Sequence, residues 1–252
     1  MINQNSNSNL NQNSNPNIHF IIQARTGSSR LPNKIFKQIQ NKPVLYHVIN
    51  RLQKSKYAFK IIIATTLKHE DDCIKDFCIE HNIDYFRDSE ENVLQRYYKT
   101  AQHFHSNIIV RITSDCPLID VNFIDKMIEY YIQNNLSYVG PKYFGNHKFP
   151  DGFNGEVFNF KTLEDAYQNA NSNEVEHVST YIIKKYKTKE FEYPIDYKLY
   201  PNINFHNLHL SLDTQKDYDL IKNIFNNLQP NFTLNEILTY LDENYYLIIN
   251  TN

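Results

Sequence analysis

The sequence has 252 residues, 41% of them hydrophobic, with nineteen Tyr, sixteen Phe and no Trp, which is enough for one large α/β domain with a sizeable core. Formal net charge is −2, yet residues 1–69 carry ten Lys or Arg and no acidic residue, while residues 70–252 carry sixteen basic against twenty-eight acidic residues. No apolar run approaches the roughly 20 residues that span a bilayer, and cations scattered over a strand, a loop and a helix suit a small polyanion better than a nucleic-acid duplex.

The three cysteines, Cys73, Cys78 and Cys116, have an odd count and no metal-ligand spacing, so reduced thiols in a cytoplasmic protein are expected. Residues 1–17 form an Asn/Ser tract with neither a basic nor an apolar region. It is too polar to pack and reads as a disordered tail rather than a secretory signal. A single domain is expected over 18–252.

In chain order, 18–24 is a short apolar run and reads as a buried first strand. A loop over 25–34 follows, and a helix is predicted from Pro43 to Lys54. Residues 60–65 form a β-branched strand, 70–81 a helix, 84–86 a brief strand and 90–104 another helix. A strong strand over 107–112 leads through the turn SDCPLID into a helix over 122–133. This alternation predicts an α/β fold, a mostly parallel sheet with helices on both faces. The second half is less regular. Short strands are expected at 137–139, 156–160 and 208–212, and helices at 162–170, 174–186, 214–225 and 233–241, the last capped by Thr233.

The 25–34 loop carries Arg25, Gly27, Ser28, Ser29, Arg30 and Lys34 and no counter-charge. A turn at the carboxyl end of a buried strand is where open α/β sheets bind ligands. Fixed cations and small residues that admit close backbone approach suit a phosphate ester. The alternative is a solvated basic loop, but three unpaired cations directly after a buried strand have little structural reason to be there.

Asp115 follows the strand 107–112, and Asp213 follows the strand expected at 208–212. Each has a local alternative: a turn before Pro117 for Asp115, and ordinary N-capping for Asp213. Together, at one sheet edge, two such carboxylates can hold a divalent ion against phosphates. Asp151 and Glu156 sit beside glycines in FPDGFNGE, a candidate acceptor-binding segment or a solvated turn. Glu176 and His177 occupy a predicted helix start, where surface placement is ordinary.

These motifs together are recognisable. QARTGSSRLPNK resembles the Q-A-R-[MT]-G-S-[ST]-R-L-P-x-K signature of the cytidylyltransferase family of the spore coat polysaccharide biosynthesis protein F type, itself similar to CMP-Kdo and CMP-sialic (nonulosonic) acid synthetases. KPVLYHVINRL, IIIATT, FRDSEENVLQRYY, VRITSDCPLID, FPDGFNGEVF, EVEHVSTYI and LSLDTQKDYDLI continue the match in order, over most of 18–227.

The resemblance implies a nucleotide-diphosphosugar-transferase-like fold of the GT-A type. It implies CTP as donor, Mg2+ as cofactor, release of pyrophosphate, a sugar acid or sugar phosphate as acceptor, and a homodimer. Residue by residue, it implies that Arg25, Arg30 and Lys34 hold the triphosphate and that Ala24, Gly27 and Ser28 lie along the nucleotide. Thr65, Asp88 and Arg96 would line the base pocket, and Asp115 and Asp213 would bind metal. Asp151, Glu156, Glu176 and His177 would face the acceptor. Relatives usually carry Gly where this chain has Asn33 and Ser114. Asn tolerates positive φ, so the turn at 33 is expected to survive. The rival readings are a GT-A glycosyltransferase using a preformed sugar nucleotide, whose D-x-D pair is missing after Asp115, and a non-catalytic nucleotide-binding protein.

Overall fold

The computed structural model describes residues 16–141, 149–153, 155–186 and 188–249. Most of the expected tail over 1–17, and most of the loop 141–155, lie outside them. The chain opens with β1 (Ile18–Gln23), an apolar run paired with parallel strands on both edges and buried on both faces because helices cover the two sides of the sheet. A 3-10 turn at Lys34–Phe36 leads into a hairpin, β2 (Gln38–Ile39) and β3 (Lys42–Pro43), which the sequence reading did not anticipate. Pro43 then stands in extended conformation as N-cap of α1 (Val44–Leu52).

Strand and helix alternate as expected through β4 (Lys60–Thr66), α2 (Asp72–Glu80), β5 (Asp84–Asp88), α3 (Val93–His103), β6 (Ile108–Thr113) and α4 (Val121–Gln133). The later elements are β7 (Tyr138–Pro141), β8 (Gly155–Asn159), α5 (Phe160–Asn169), α6 (Thr180–Lys185), β9 (Lys189–Phe191), α7 (Gln215–Asn227), α8 (Leu234–Glu243) and α9 (Tyr246–Ile249). Thr233 caps α8 through a reciprocal capping box with Glu236. Among the described residues, no helix is long and apolar enough to cross a membrane.

One sheet of seven strands has the order β5-β4-β1-β6-β8-β7-β9. β5, β4, β1 and β6 are parallel, so their carboxyl ends share one edge. β8 runs antiparallel to β6, and its first residues, Gly155 and Glu156, therefore return to that same edge opposite Ile112 and Arg111. The pleat of β1 divides the core. Phe20 and Ile22 pack with Leu45 of α1, Ile124 of α4 and Ile221 of α7, whereas Ile21 packs with Leu94 and Tyr97 of α3 and Leu163 of α5. Helices thus cover both faces.

Two expected elements are absent in the form anticipated. Residues 208–212 form no ladder: an isolated bridge joins Asp151 and His209, because the neighbouring backbone there is a loop rather than a free strand edge. The helix expected over 174–186 is helical only in α6. The Val175 carbonyl accepts from the Leu94 N–H at 2.9 Å, which takes it out of any helical ladder and holds the turn against α3.

Two titratable arrangements, one largely buried and one fully so, make testable statements about stability. Arg111 and Glu156, opposite each other on β6 and β8, pair at 2.7 Å, and Glu156 also accepts from Tyr138 Oη and Ser179 Oγ. Burial would raise the Glu156 carboxyl pKa, but Arg111 and the hydroxyls bring it below its ordinary value. Glu156→Gln leaves Arg111 uncompensated and is expected to lower stability by about 3–5 kcal/mol. A change in unfolding free energy below about 1 kcal/mol would show that the pair is solvent-screened.

His19 is buried, stacks on Phe59 and meets Ser106 Oγ through Nδ1 at 2.7 Å, while Nε2 has no partner among the described residues. Burial, aided by Lys60, pushes its pKa down to about 4. The unfolded chain then takes up the proton first, so this site does not affect the pH dependence of stability above pH ~6.5 and destabilises progressively as pH falls toward ~4, by up to about 3 kcal/mol. Chemical denaturation of wild type and His19→Asn across that range should show the extra loss in wild type alone; parallel profiles would contradict it.

Candidate active site

β1 delivers the chain to the sheet edge at Ala24, whose N–H still bonds the Ala64 carbonyl at 3.2 Å. The loop that follows is pinned from below by the buried carboxylate of Asp71. Its Oδ1 accepts from the Thr26 N–H and Thr26 Oγ1, each at 2.7 Å, and its Oδ2 accepts from Thr66 Oγ1. The Asn33 N–H closes back on the Thr26 carbonyl at 3.3 Å. Asn33 stands at φ 54°, ψ 29°, the left-handed conformation that Gly takes freely and Asn tolerates, so the turn survives the exchange. Leu31 is buried and anchors the middle. Between these anchors Arg25, Gly27, Ser28, Ser29 and Arg30 line a cavity of about 850 Å³, and Lys34 lies at its floor.

β6 ends beside this loop, with the Ser114 N–H on the Gln23 carbonyl at 3.2 Å. The 210–213 segment is tied to the same point, because the Leu212 N–H donates to the Asp115 carbonyl at 2.8 Å. Thr214, not Asp213, caps α7, in a capping box with Asp217. The Asp213 side chain is therefore free to face Asp115. Lys34 Nζ sits between them, 2.8 Å from Asp115 Oδ2 and 3.0 Å from Asp213 Oδ1, and Arg30 Nη2 reaches the same Asp213 oxygen at 3.0 Å.

The charges reinforce one another. Burial alone would lower the Lys34 ammonium pKa, but Asp115 and Asp213 outweigh it and leave it above the ordinary lysine value. Burial would raise the Asp213 carboxyl, and Lys34, Arg30 and His209 bring it below its ordinary value. Among the described residues, no group of three or more His, Cys, Asp or Glu could hold a metal ion. The Asp115–Asp213 pair offers two hard oxygen donors, which fits a magnesium-like ion that takes its other ligands from phosphate and water.

The remaining expected residues divide. Ala24, Arg96, Glu176 and His177 line the large cavity with the loop. Arg96 is buried and holds the Ser89 and Glu90 carbonyls through Nη1. Asp151 and Glu156 line a smaller cavity of about 290 Å³, which shares Arg111, Thr113, Asp115 and Asp213 with the large one. Thr65 and Asp88 are not brought to either wall. Thr65 is fully buried at the end of β4, and the Asp88 carboxylate accepts from Gln95 and Lys99 on α3.

Several residues at the site escaped sequence reasoning. Arg111 borders both cavities and donates to Gln23 Oε1 at 3.2 Å. As the one charged residue in the strand IIVRIT, it carried a usable signal. His209 joins Asp151 Oδ2 (3.0 Å), Ser211 Oγ (3.0 Å) and Asp213 Oδ2 (3.3 Å), linking the loop at 149–153 to Asp213. The hydrogen bond it donates to the Asp151 carboxylate is the main reason its pKa is raised. Nothing local in the sequence marks His209 or Asp71.

Comparison with known proteins agrees with this geometry. A family model for cytidylyltransferases matches residues 19–246. The chain is 32% identical to the spore coat polysaccharide biosynthesis protein SpsF of Bacillus subtilis over 245 residues, 90% of this chain and 95% of that one. A cytidylyltransferase from Leptospira borgpetersenii superposes with a TM-score of 0.83 at 28% identity, over 94% of this chain and 99% of that one. A CMP:2-keto-3-deoxy-manno-octonic acid synthetase complexed with CTP shares the fold, with a TM-score of 0.61 at 15% identity over 83% and 98% of the two chains. The chain belongs to the cytidylyltransferase family.

Proposed function

We propose that the chain transfers CMP from CTP to a small sugar-type acceptor, a sugar acid or a sugar phosphate, with release of pyrophosphate, in polysaccharide biosynthesis. The observation that carries this reading is the convergence of Lys34, Arg30, Asp115 and Asp213 at the floor of a cavity large enough for a nucleoside triphosphate. Membership of the cytidylyltransferase family and the spore coat relative support the donor and the pathway class. The fold shared with a synthetase complexed with CTP is consistent with both.

In this reading Arg25, Arg30 and Lys34 hold the triphosphate as fixed charges, and Ala24, Gly27, Ser28 and Arg96 lie along the nucleotide. Thr65 and Asp88 line neither cavity and take no direct part in this reading. Asp115 and Asp213 would hold a divalent ion, magnesium by its preference for carboxylate and phosphate oxygens. When bound, that ion supplies charge neutralisation at the phosphates. The acceptor occupies the smaller cavity beside Asp151 and Glu156, with Glu176 and His177 lining the larger one beside it.

An acceptor oxygen then attacks the α-phosphorus in line, and the bond from that phosphorus to the bridging oxygen of pyrophosphate breaks. Arg30 and Lys34 stabilise the charge that develops on the leaving group. They are already oriented by the loop's anchors, so little reorganisation accompanies the step.

A pyrophosphate-release screen of CTP and other nucleoside triphosphates against nonulosonic acids, Kdo-type acids and sugar phosphates tests the reaction. Release only with CTP and an acceptor is expected; hydrolysis of a preformed sugar nucleotide instead would point to glycosyl transfer. In calorimetry, Arg30→Ala with Lys34→Ala should weaken CTP binding by about 100-fold, the loss of two charge-assisted contacts. Unchanged affinity would remove the loop from the site.

A further inference from the structure

We propose that Lys34 is a placeholder cation, whose ammonium competes with a divalent ion for Asp115 and Asp213, so that metal and nucleotide bind well only together. This rests on the reading of the site as a metal–triphosphate site. Lys34 has a side chain only 14% exposed, and its Nζ lies within hydrogen-bond distance of one oxygen of each aspartate, at 2.8 and 3.0 Å. Arg30 adds a second positive charge on the same Asp213 oxygen.

A metal ion arriving alone meets two carboxylates that are already neutralised. To bind them it must displace Lys34, leaving a largely buried ammonium without an acceptor, which is the expensive way to break such a pair. It gains little in return, since no third His, Cys, Asp or Glu among the described residues completes a ligand cluster. A nucleotide arriving alone finds Lys34 engaged elsewhere, and drawing it onto the phosphates would uncover carboxylate charge facing them. When both arrive, the exchange balances: phosphate oxygens accept from Lys34 and the metal takes the carboxylates, so no charge is left unpaired.

The loop repeats this arrangement more loosely at its other end. Arg25 lies 3.5 Å from Glu90, an oxygen pair on the cavity wall that also engages Lys68. That contact is half-exposed and contributes little. Lys34 is the member of the set placed to couple the two ligands, because it alone touches both aspartates.

The test is a titration of Mn2+ without nucleotide, read from the loss of the free-ion electron paramagnetic resonance signal. Lys34→Met should bind Mn2+ at least about tenfold more tightly than wild type, because the competing charge is gone. The same substitution should weaken binding of CTP in the presence of Mg2+. Opposite signs for the two ligands are the signature, since a lysine that served phosphate alone would leave metal affinity unchanged. Lys34→Gln provides a second neutral variant if Lys34→Met fails to fold, and Lys34→Arg, which keeps the charge, should stay as weak for Mn2+ as wild type. Unchanged or weaker Mn2+ binding in the neutral variants overturns the proposal. Failure of CTP to bind wild type would overturn the nucleotide reading instead; the Mn2+ titration contains no nucleotide and decides the role of Lys34 separately.

Discussion

The contact of Lys34 with Asp115 and Asp213 is the constraint on which the site depends, because it joins three chain segments far apart in sequence. Lys34 comes from the loop after β1, Asp115 from the end of β6, and Asp213 from the segment before α7. Each arrives through a local device. Asn33 turns the backbone at positive φ, the sheet register sets Thr113 beside Gln23, and Thr214 takes over the capping of α7. If Lys34 were withdrawn, the two aspartates would face each other with Arg30 on Asp213 alone to offset them, which favours displacement or protonation of one of them.

The reversal of β8 does for the smaller cavity what the parallel strands do for the larger one. Because β8 runs against β6, the Gly155–Glu156 end meets the edge at which β1 and β6 finish. The largely buried Arg111–Glu156 pair fixes that meeting, and Arg111 borders both cavities. His209 makes a second link, from Asp151 across to Asp213. The larger and smaller cavities consequently share a wall, an arrangement that suits direct transfer between two bound reactants.

Much of this was legible in the sequence, for local reasons. Apolar periodicity marked β1, β4, β6 and α1 to α4, and parallel strands followed by turns located Arg25, Arg30, Lys34 and Asp115 at one edge. Asp213 was identified from the same logic even though the strand expected before it is only an isolated bridge. What the sequence could not show depends on contacts between distant residues. The Asp71 carboxylate that pins Thr26 acts across 45 positions. The turn over 174–179 replaces helix because a carbonyl is taken by α3, and the Leu212–Asp115 bond has no sequence signature. Thr65 and Asp88, assigned by resemblance to the base pocket, line neither cavity, since strand-end position alone does not say which way a side chain turns.

The most direct measurement is a crystal structure of the chain grown with CTP and Mg2+. The triphosphate should lie along residues 25–34, with the ion on Asp115 and Asp213 and Lys34 moved from the carboxylates to phosphate oxygens. A nucleotide bound away from this loop, or an ion bound to both aspartates while Lys34 keeps its present contacts, would contradict the account.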